Sequence, residues 1–198
     1  RAQEFNSSIV SMLSKHYSST VQVKSVDGAL EGTGSLVFDV QNRKVFCCYS
    51  QRATPKTLNA YMTELNKHTT NKFKLVAFNA TDKQGLPIYH TNCVLSVLKD
   101  HYMVCSETVS EKAEVMSELK DKRIIDLSMK VMEQFAGNTL MVRNKWNEHC
   151  VIISSTAWKA LSARHRQELG CYRVIKCDIG TIEDIGGGSA RCMVAELF

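Results

Sequence analysis

A cysteine, a histidine and a glutamate stand in settings unlike those of the other residues of their kinds in this chain. Cys192 ends the run GGGSARC, in which Gly186, Gly187 and Gly188 precede Ser189, Ala190 and Arg191. The other thiols lie in or beside apolar β-type runs: Cys47 and Cys48 in VFCCYS, Cys93 in NCVLSV, Cys105 in YMVCS, Cys150 in HCVIIS, and Cys171 and Cys177 in CYRVIKC. Small buried thiols suit such places. A glycine-rich approach instead lets the main chain come close to a ligand. Cys192 is therefore the candidate nucleophile, and Gly188 and Ser189 are candidate substrate contacts. A thiolate, the reactive form of cysteine, works with a group that moves protons and a third group that orients it. His90, between a polar loop and an apolar run, can pass a proton near neutral pH. Glu31, framed by Leu30 and Gly32, can fix the tautomer of an imidazole. Arg52, in YSQRA, has the planar fork that grips a substrate carboxylate. His16, His68, His101, His149 and His165 fall in predicted helices, at helix ends or at strand turns, and read as structural.

Residues so far apart need a fold that gathers them, and the chain carries a pattern that could. A helix over 2–15 and a strand over 20–26 open the sequence. Strands at 35–40 and 44–49, a helix over 56–67 behind Pro55 and a strand at 73–78 then give the order ββαβ. The order recurs at 92–98, 102–105, 111–119 and 123–127, and again at 139–143, 150–154, 157–169 and 172–177. A final strand at 192–198 starts a further unit. First strands begin near Gly34, Asn92, Asn138 and Arg191, at intervals of about fifty residues, in the range where repeats mean solenoids or propellers. In a ring of equivalent blades, Glu31, His90, Asn138 and Cys192 would face one central cavity, where Asn138 is expected to contact substrate. An ordinary α/β sheet would spread them along an edge.

Composition narrows the partners. The chain has 198 residues, 44% of them hydrophobic, and a formal charge of +5 that no basic run concentrates, which argues against nucleic acid. Apolar stretches fall far short of the ~18 residues that span a bilayer, and no signal-peptide pattern appears. Eight cysteines without a CxxC pair or a zinc-type Cys/His spacing point to a reduced, cytoplasmic protein without a metal site. The first residue is Arg1 rather than Met, which suggests residues lost upstream. GGGS lacks the Lys-Ser/Thr of a P-loop. Met129, Met132 and Phe135 read as one helical face against the core, and KDKR at 120–123 as a solvated helix end.

LEGTGS, YHTN, FAGN and TIEDIGGGSARCM together resemble the guanidine-modifying (pentein) superfamily, in the expected order and over nearly the whole chain. The likeness is closer to the citrulline-utilisation hydrolase, amidinotransferase-like branch and more distant to arginine deiminase. It implies a single pentein domain over 1–198, an α/β propeller of ββαβ blades. Here the ring would be incomplete, with about three full blades plus parts of another. It also implies Cys192 as nucleophile, His90 as general acid/base, Glu31 as the orienting carboxylate and Arg52 as the partner of the substrate α-carboxylate. Deiminases of arginine carry an Asp two residues after the histidine, and this sequence has Asn92. An amide cannot neutralise a guanidinium but can donate to and accept from a neutral ureido group, which moves the expected substrate toward citrulline. Family members extend further upstream, so the chain is expected to be a fragment or a remnant with an incomplete site. The expected partner is a small amino-acid substrate, with no organic cofactor, no membrane and a homo-oligomer as an option. An amidinotransferase using the same cysteine and a catalytically inactive binding module are the competing expectations.

Overall fold

VFCC, YMV and CVII are continuous apolar runs rather than alternating ones, as suits strands covered on both faces. The computed structural model describes residues 6–17 and 27–196 and places each run at the centre of a three-stranded sheet. After helix α1 (Ser7–Ser14) comes a helical turn, α2 (Gly32–Ser35). The first unit is then β1 (Val37–Asp39), β2 (Lys44–Cys48), α3 (Pro55–Lys67) and β3 (Lys74–Phe78). A second helical turn, α4 (Thr91–Val94), opens β4 (Leu95–Val97), β5 (His101–Val104), α5 (Lys112–Glu118) and β6 (Arg123–Asp126). The third unit follows α6 (Met129–Met132): β7 (Leu140–Arg143), β8 (His149–Ser154), α7 (Ser155–Ala160), α8 (Ala163–Glu168) and β9 (Arg173–Cys177).

Each sheet keeps its strands in chain order, the first pair antiparallel and the second parallel. A parallel return needs a crossover, which the helical segment of each unit supplies. The middle strands fill the core: Phe46, Tyr102, Met103, Val151 and Ile153 are fully buried in one cluster shared by all three units. A second cluster, with Val45, Cys47, Leu58 and Met62, lies between the first sheet and α3. β4 lies beside β1 on one side and β7 on the other. Among the described residues the result is an open array of three ββαβ units, a mixed α/β architecture of the pentein type.

A buried ion pair joins the first two units. Asp39, at the end of β1, is 1% exposed and holds Lys122 Nζ at 3.2 Å, Asn42 Nδ2 at 2.8 Å and the Tyr102 hydroxyl. Lys122 also donates to the Leu98 carbonyl at 2.8 Å. Burial pushes the Asp39 carboxyl up, but Tyr102, Asn42 and Lys122 together hold it below its ordinary value. Its contribution to stability is therefore present above about pH 4 and is lost as pH falls through the lowered folded value. Asp39→Asn strands the Lys122 ammonium and should cost about 3–5 kcal/mol. Denaturant titrations at neutral and acid pH check this, because the loss should shrink as the parent's Asp39 protonates.

Several expected elements differ. Of the helix expected over 2–15, residues 2–5 lie outside the described residues and α1 forms in the described part after the Asn6 cap; the strand expected at 20–26 also lies outside the described residues. The helix expected over 157–169 breaks at Leu161. Ser162 takes an extended conformation and caps α8 by accepting from the His165 N–H at 3.1 Å. The segment at 181–188, given no element from sequence, holds helix α9 (Gly180–Gly186), ended by Gly187 at φ 66°. The expected strand over 192–198 is not formed in its described part. Residues 190–193 make a 3₁₀ turn instead, because the Asn138 side chain takes the N–H groups of Arg191 and Cys192. Cys171 is exposed rather than buried.

Candidate active site

The convergence of the candidate residues follows from where the first strands begin. Glu31 immediately precedes α2 and His90 immediately precedes α4, and these turns lead into the neighbouring strands β1 and β4. Thr91 ties the two together: its hydroxyl donates to the Ser35 carbonyl at 2.5 Å and accepts from the Cys48 N–H at 2.7 Å. Asn138 lies just before β7, and Cys192 lies in the turn it braces. Glu31, His90, Asn92 and Cys192 line one cavity of about 570 Å³, together with Gly32, Thr33 and Gly34.

Within the cavity the carboxylate bridges two cations or potential cations. Glu31 Oε2 lies 2.6 Å from His90 Nε2, and Oε1 lies 2.5 Å from an Arg52 guanidinium nitrogen. The imidazole is thus oriented through Nε2, and Tyr89 packs edge-on against it at 4.7 Å between ring centroids. Gly34 lies against the imidazole: a Cβ there would stand 3.0 Å from its Cδ2, Cε1 and Nδ1. Gly34→Ala should therefore push His90 off Glu31. Turnover is expected to fall ~10²-fold, the scale of a catalytic group misplaced by about 1 Å, with the melting temperature little changed.

Cys192 is exposed to the cavity. Its sulfur faces the Asn138 amide nitrogen at 3.1 Å and that of Asn92 at 3.7 Å. A Cβ at Gly188 would lie 3.1 Å from Cys192 Cβ and 3.3 Å from Sγ, so this glycine leaves room for the thiol. Nearby thiols are held in their neutral form. Burial, then the Cys192 and Cys48 sulfurs, pushes Cys93 up to about 12. Burial also pushes Cys48 up to about 11. Tyr89 is raised as well, chiefly by burial.

Three expected substrate contacts point elsewhere. Arg52 is tied to Glu31 and lines a second cavity of about 630 Å³, with Tyr49, Ser50 and Tyr89, rather than the one holding Cys192. Asn138 is 2% exposed and does not line the cavity, since its amide is committed to the turn that carries Cys192. Ser189 is 1% exposed and donates to Glu183 Oε1 at 2.6 Å. Glu183, itself buried in α9, was not singled out from sequence. The one signal for it is a carboxylate six residues before a serine in a glycine-rich run.

Comparison with known proteins places this geometry in a family. The family model described as N,N dimethylarginine dimethylhydrolase, eukaryotic, matches residues 1–198. No curated protein matches the sequence. Among solved structures, the dimethylarginine hydrolase DDAH of Pseudomonas aeruginosa, in complex with citrulline, is 22% identical with a TM-score of 0.65. The match covers 91% of this chain and 61% of that one. ArgZ, an arginine dihydrolase of the ornithine–ammonia cycle in cyanobacteria, is 18% identical with a TM-score of 0.70, over 93% of this chain and 27% of that one. The N-terminal domain of ArgZ, covalently bound to a reaction intermediate, is 18% identical with a TM-score of 0.69 and is covered to 62%. The chain thus spans roughly a quarter to three-fifths of these structures' lengths. At these identities the structures share the fold, and it is the pentein fold that the motifs resemble. The family model is that of the dimethylarginine enzymes, whereas the sequence motifs led to an expectation of the citrulline-utilisation branch. Matched along its whole length, the chain belongs to the dimethylarginine dimethylhydrolase family, whose members are guanidino hydrolases of the pentein superfamily.

Proposed function

We propose that the chain carries the active site of a cysteine-dependent hydrolase of C–N bonds in ureido or guanidino amino acids, with citrulline as the favoured substrate. The observation that carries this reading is the meeting of Cys192, His90 and Glu31 in one cavity. The choice of a neutral substrate rests on what surrounds the sulfur. Among the described residues lining the cavity, Glu31 is the only carboxylate, and it is engaged by His90 and Arg52. A desolvated guanidinium needs a carboxylate partner. Asn92, beside the sulfur, can instead donate to and accept from a ureido group.

The Cys192 thiolate attacks the ureido carbon, and a C–S bond forms as the C=O π pair moves onto oxygen. His90 protonates the departing amine as the C–N bond breaks, leaving a thiol-linked carbonyl intermediate. It then takes a proton from the water that displaces the sulfur. The carbamate released decomposes, so citrulline and water give ornithine, carbon dioxide and ammonia. Glu31 holds the imidazole in place for both proton transfers. The match to the dimethylarginine family favours a second reading, in which the same residues convert dimethylarginine and water to citrulline and dimethylamine.

Product analysis of the full native chain separates the two. Equimolar ornithine and ammonia from citrulline, with dimethylarginine inert, is the expected result. Dimethylamine from dimethylarginine, with citrulline inert, would replace the first reading by the second.

A further inference from the structure

Asn138 was expected to touch substrate, yet it is buried beneath the nucleophile with its whole amide engaged. Its Oδ1 accepts from the N–H groups of Arg191 at 3.0 Å and Cys192 at 3.3 Å. Its Nδ2 donates to the Asn92 carbonyl at 3.1 Å and to Cys192 Sγ at 3.1 Å. Two backbone donors on one side and a carbonyl on the other fix the orientation of the amide, since a flipped group would set N–H against N–H and oxygen against oxygen. The nitrogen is therefore held on the sulfur. A thiol is a weak acceptor and an anionic sulfur a strong one, so a donor fixed there favours the anion.

We infer that Asn138 is a catalytic residue acting on the nucleophile: its Nδ2 stabilises the Cys192 thiolate, while its Oδ1 holds the turn that carries it. The inference rests on Cys192 being the nucleophile. The other charged or titratable groups around the sulfur are arranged differently. Glu31 and His90 face it across the cavity with Arg52 behind Glu31, and Tyr89 and Cys93 lie nearby. Next to Cys192 in the chain, Arg191 pairs with Glu196 at 2.6 Å, and Glu183 of the preceding α9 bonds Ser189. Among the described side chains hydrogen-bonded to the sulfur, the donors are the two neutral amides of Asn92 and Asn138.

The test is the pH dependence of iodoacetamide alkylation at Cys192, followed by peptide mass, in the parent, Asn138→Asp and Asn138→Ala, beside steady-state turnover of citrulline in these and in Cys192→Ala. Asn138→Asp keeps an acceptor for both backbone N–H groups but replaces the donor with a carboxylate oxygen. Its alkylation midpoint should move up by about one pH unit or more, slowing alkylation at neutral pH ~10-fold with the alkaline plateau unchanged. Asn138→Ala, which covers the case in which the carboxylate disturbs the loop, should shift the midpoint the same way by less, with turnover falling in parallel. Parental midpoints in both variants, or a plateau that falls without a shift, overturn the inference while leaving the nucleophile in place. Full turnover in Cys192→Ala overturns the nucleophile and the inference together.

Discussion

Cys192→Ala should reduce turnover to background while leaving the protein folded. Removing a nucleophile from a thiol or hydroxyl enzyme costs on the order of 10⁵-fold or more, since the residual groups can only bind and polarise the substrate. The thiol is exposed at the cavity, with its hydrogen bonds made to amides that stay anchored through other partners. Stability should therefore change by no more than about 0.5 kcal/mol. A thermal melt beside a steady-state assay checks both halves, and turnover near the parental rate would remove Cys192 from the chemistry.

The second large effect falls on the His90–Glu31 pair. If His90 carries the proton to the leaving amine and from the incoming water, as proposed, His90→Ala should lower kcat ~10²- to 10⁴-fold. Glu31→Gln keeps the shape of the side chain but loses the charge that holds His90 at 2.6 Å and Arg52 at 2.5 Å. Because Glu31 acts through His90, the double variant should be scarcely slower than His90→Ala alone, a non-additivity typical of groups working as one unit. Fully multiplied losses in the double variant would mean that Glu31 contacts the substrate independently of the imidazole.

Much of this arrangement is readable in the residues before any coordinates. The apolar runs VFCC, YMV and CVII announce strands covered on both faces, and their recurrence beside a helix gives the ββαβ order of the three sheets. Equivalent positions in such units face the same way, which is why Glu31, His90 and Cys192 could be expected to meet. What the sequence conceals is the direction of side chains at the junctions between turn and strand. Asn138 and Ser189 are polar residues next to Cys192, as substrate contacts often are next to a reactive thiol. Both turn inward because tertiary partners claim them, Asn138 through the backbone of residues 191 and 192 and Ser189 through Glu183. The same capture bends residues 190–193 into a 3₁₀ turn where the recurring pattern led to the expectation of a strand from residue 192. Arg52 looks free in YSQRA, and only the approach of two loops reveals that Glu31 holds it. The break at Leu161 is a local matter, visible in principle as Ser162 standing where a cap can form.

Mass spectrometry of turnover mixtures quenched in acid tests the covalent chemistry most directly. During steady-state reaction with citrulline, the peptide containing Cys192 should carry a substrate-derived carbonyl adduct, absent before substrate is added and absent from Cys192→Ala. An adduct on Cys171, the other exposed thiol, or continued product formation with Cys192 unmodified throughout, would contradict it.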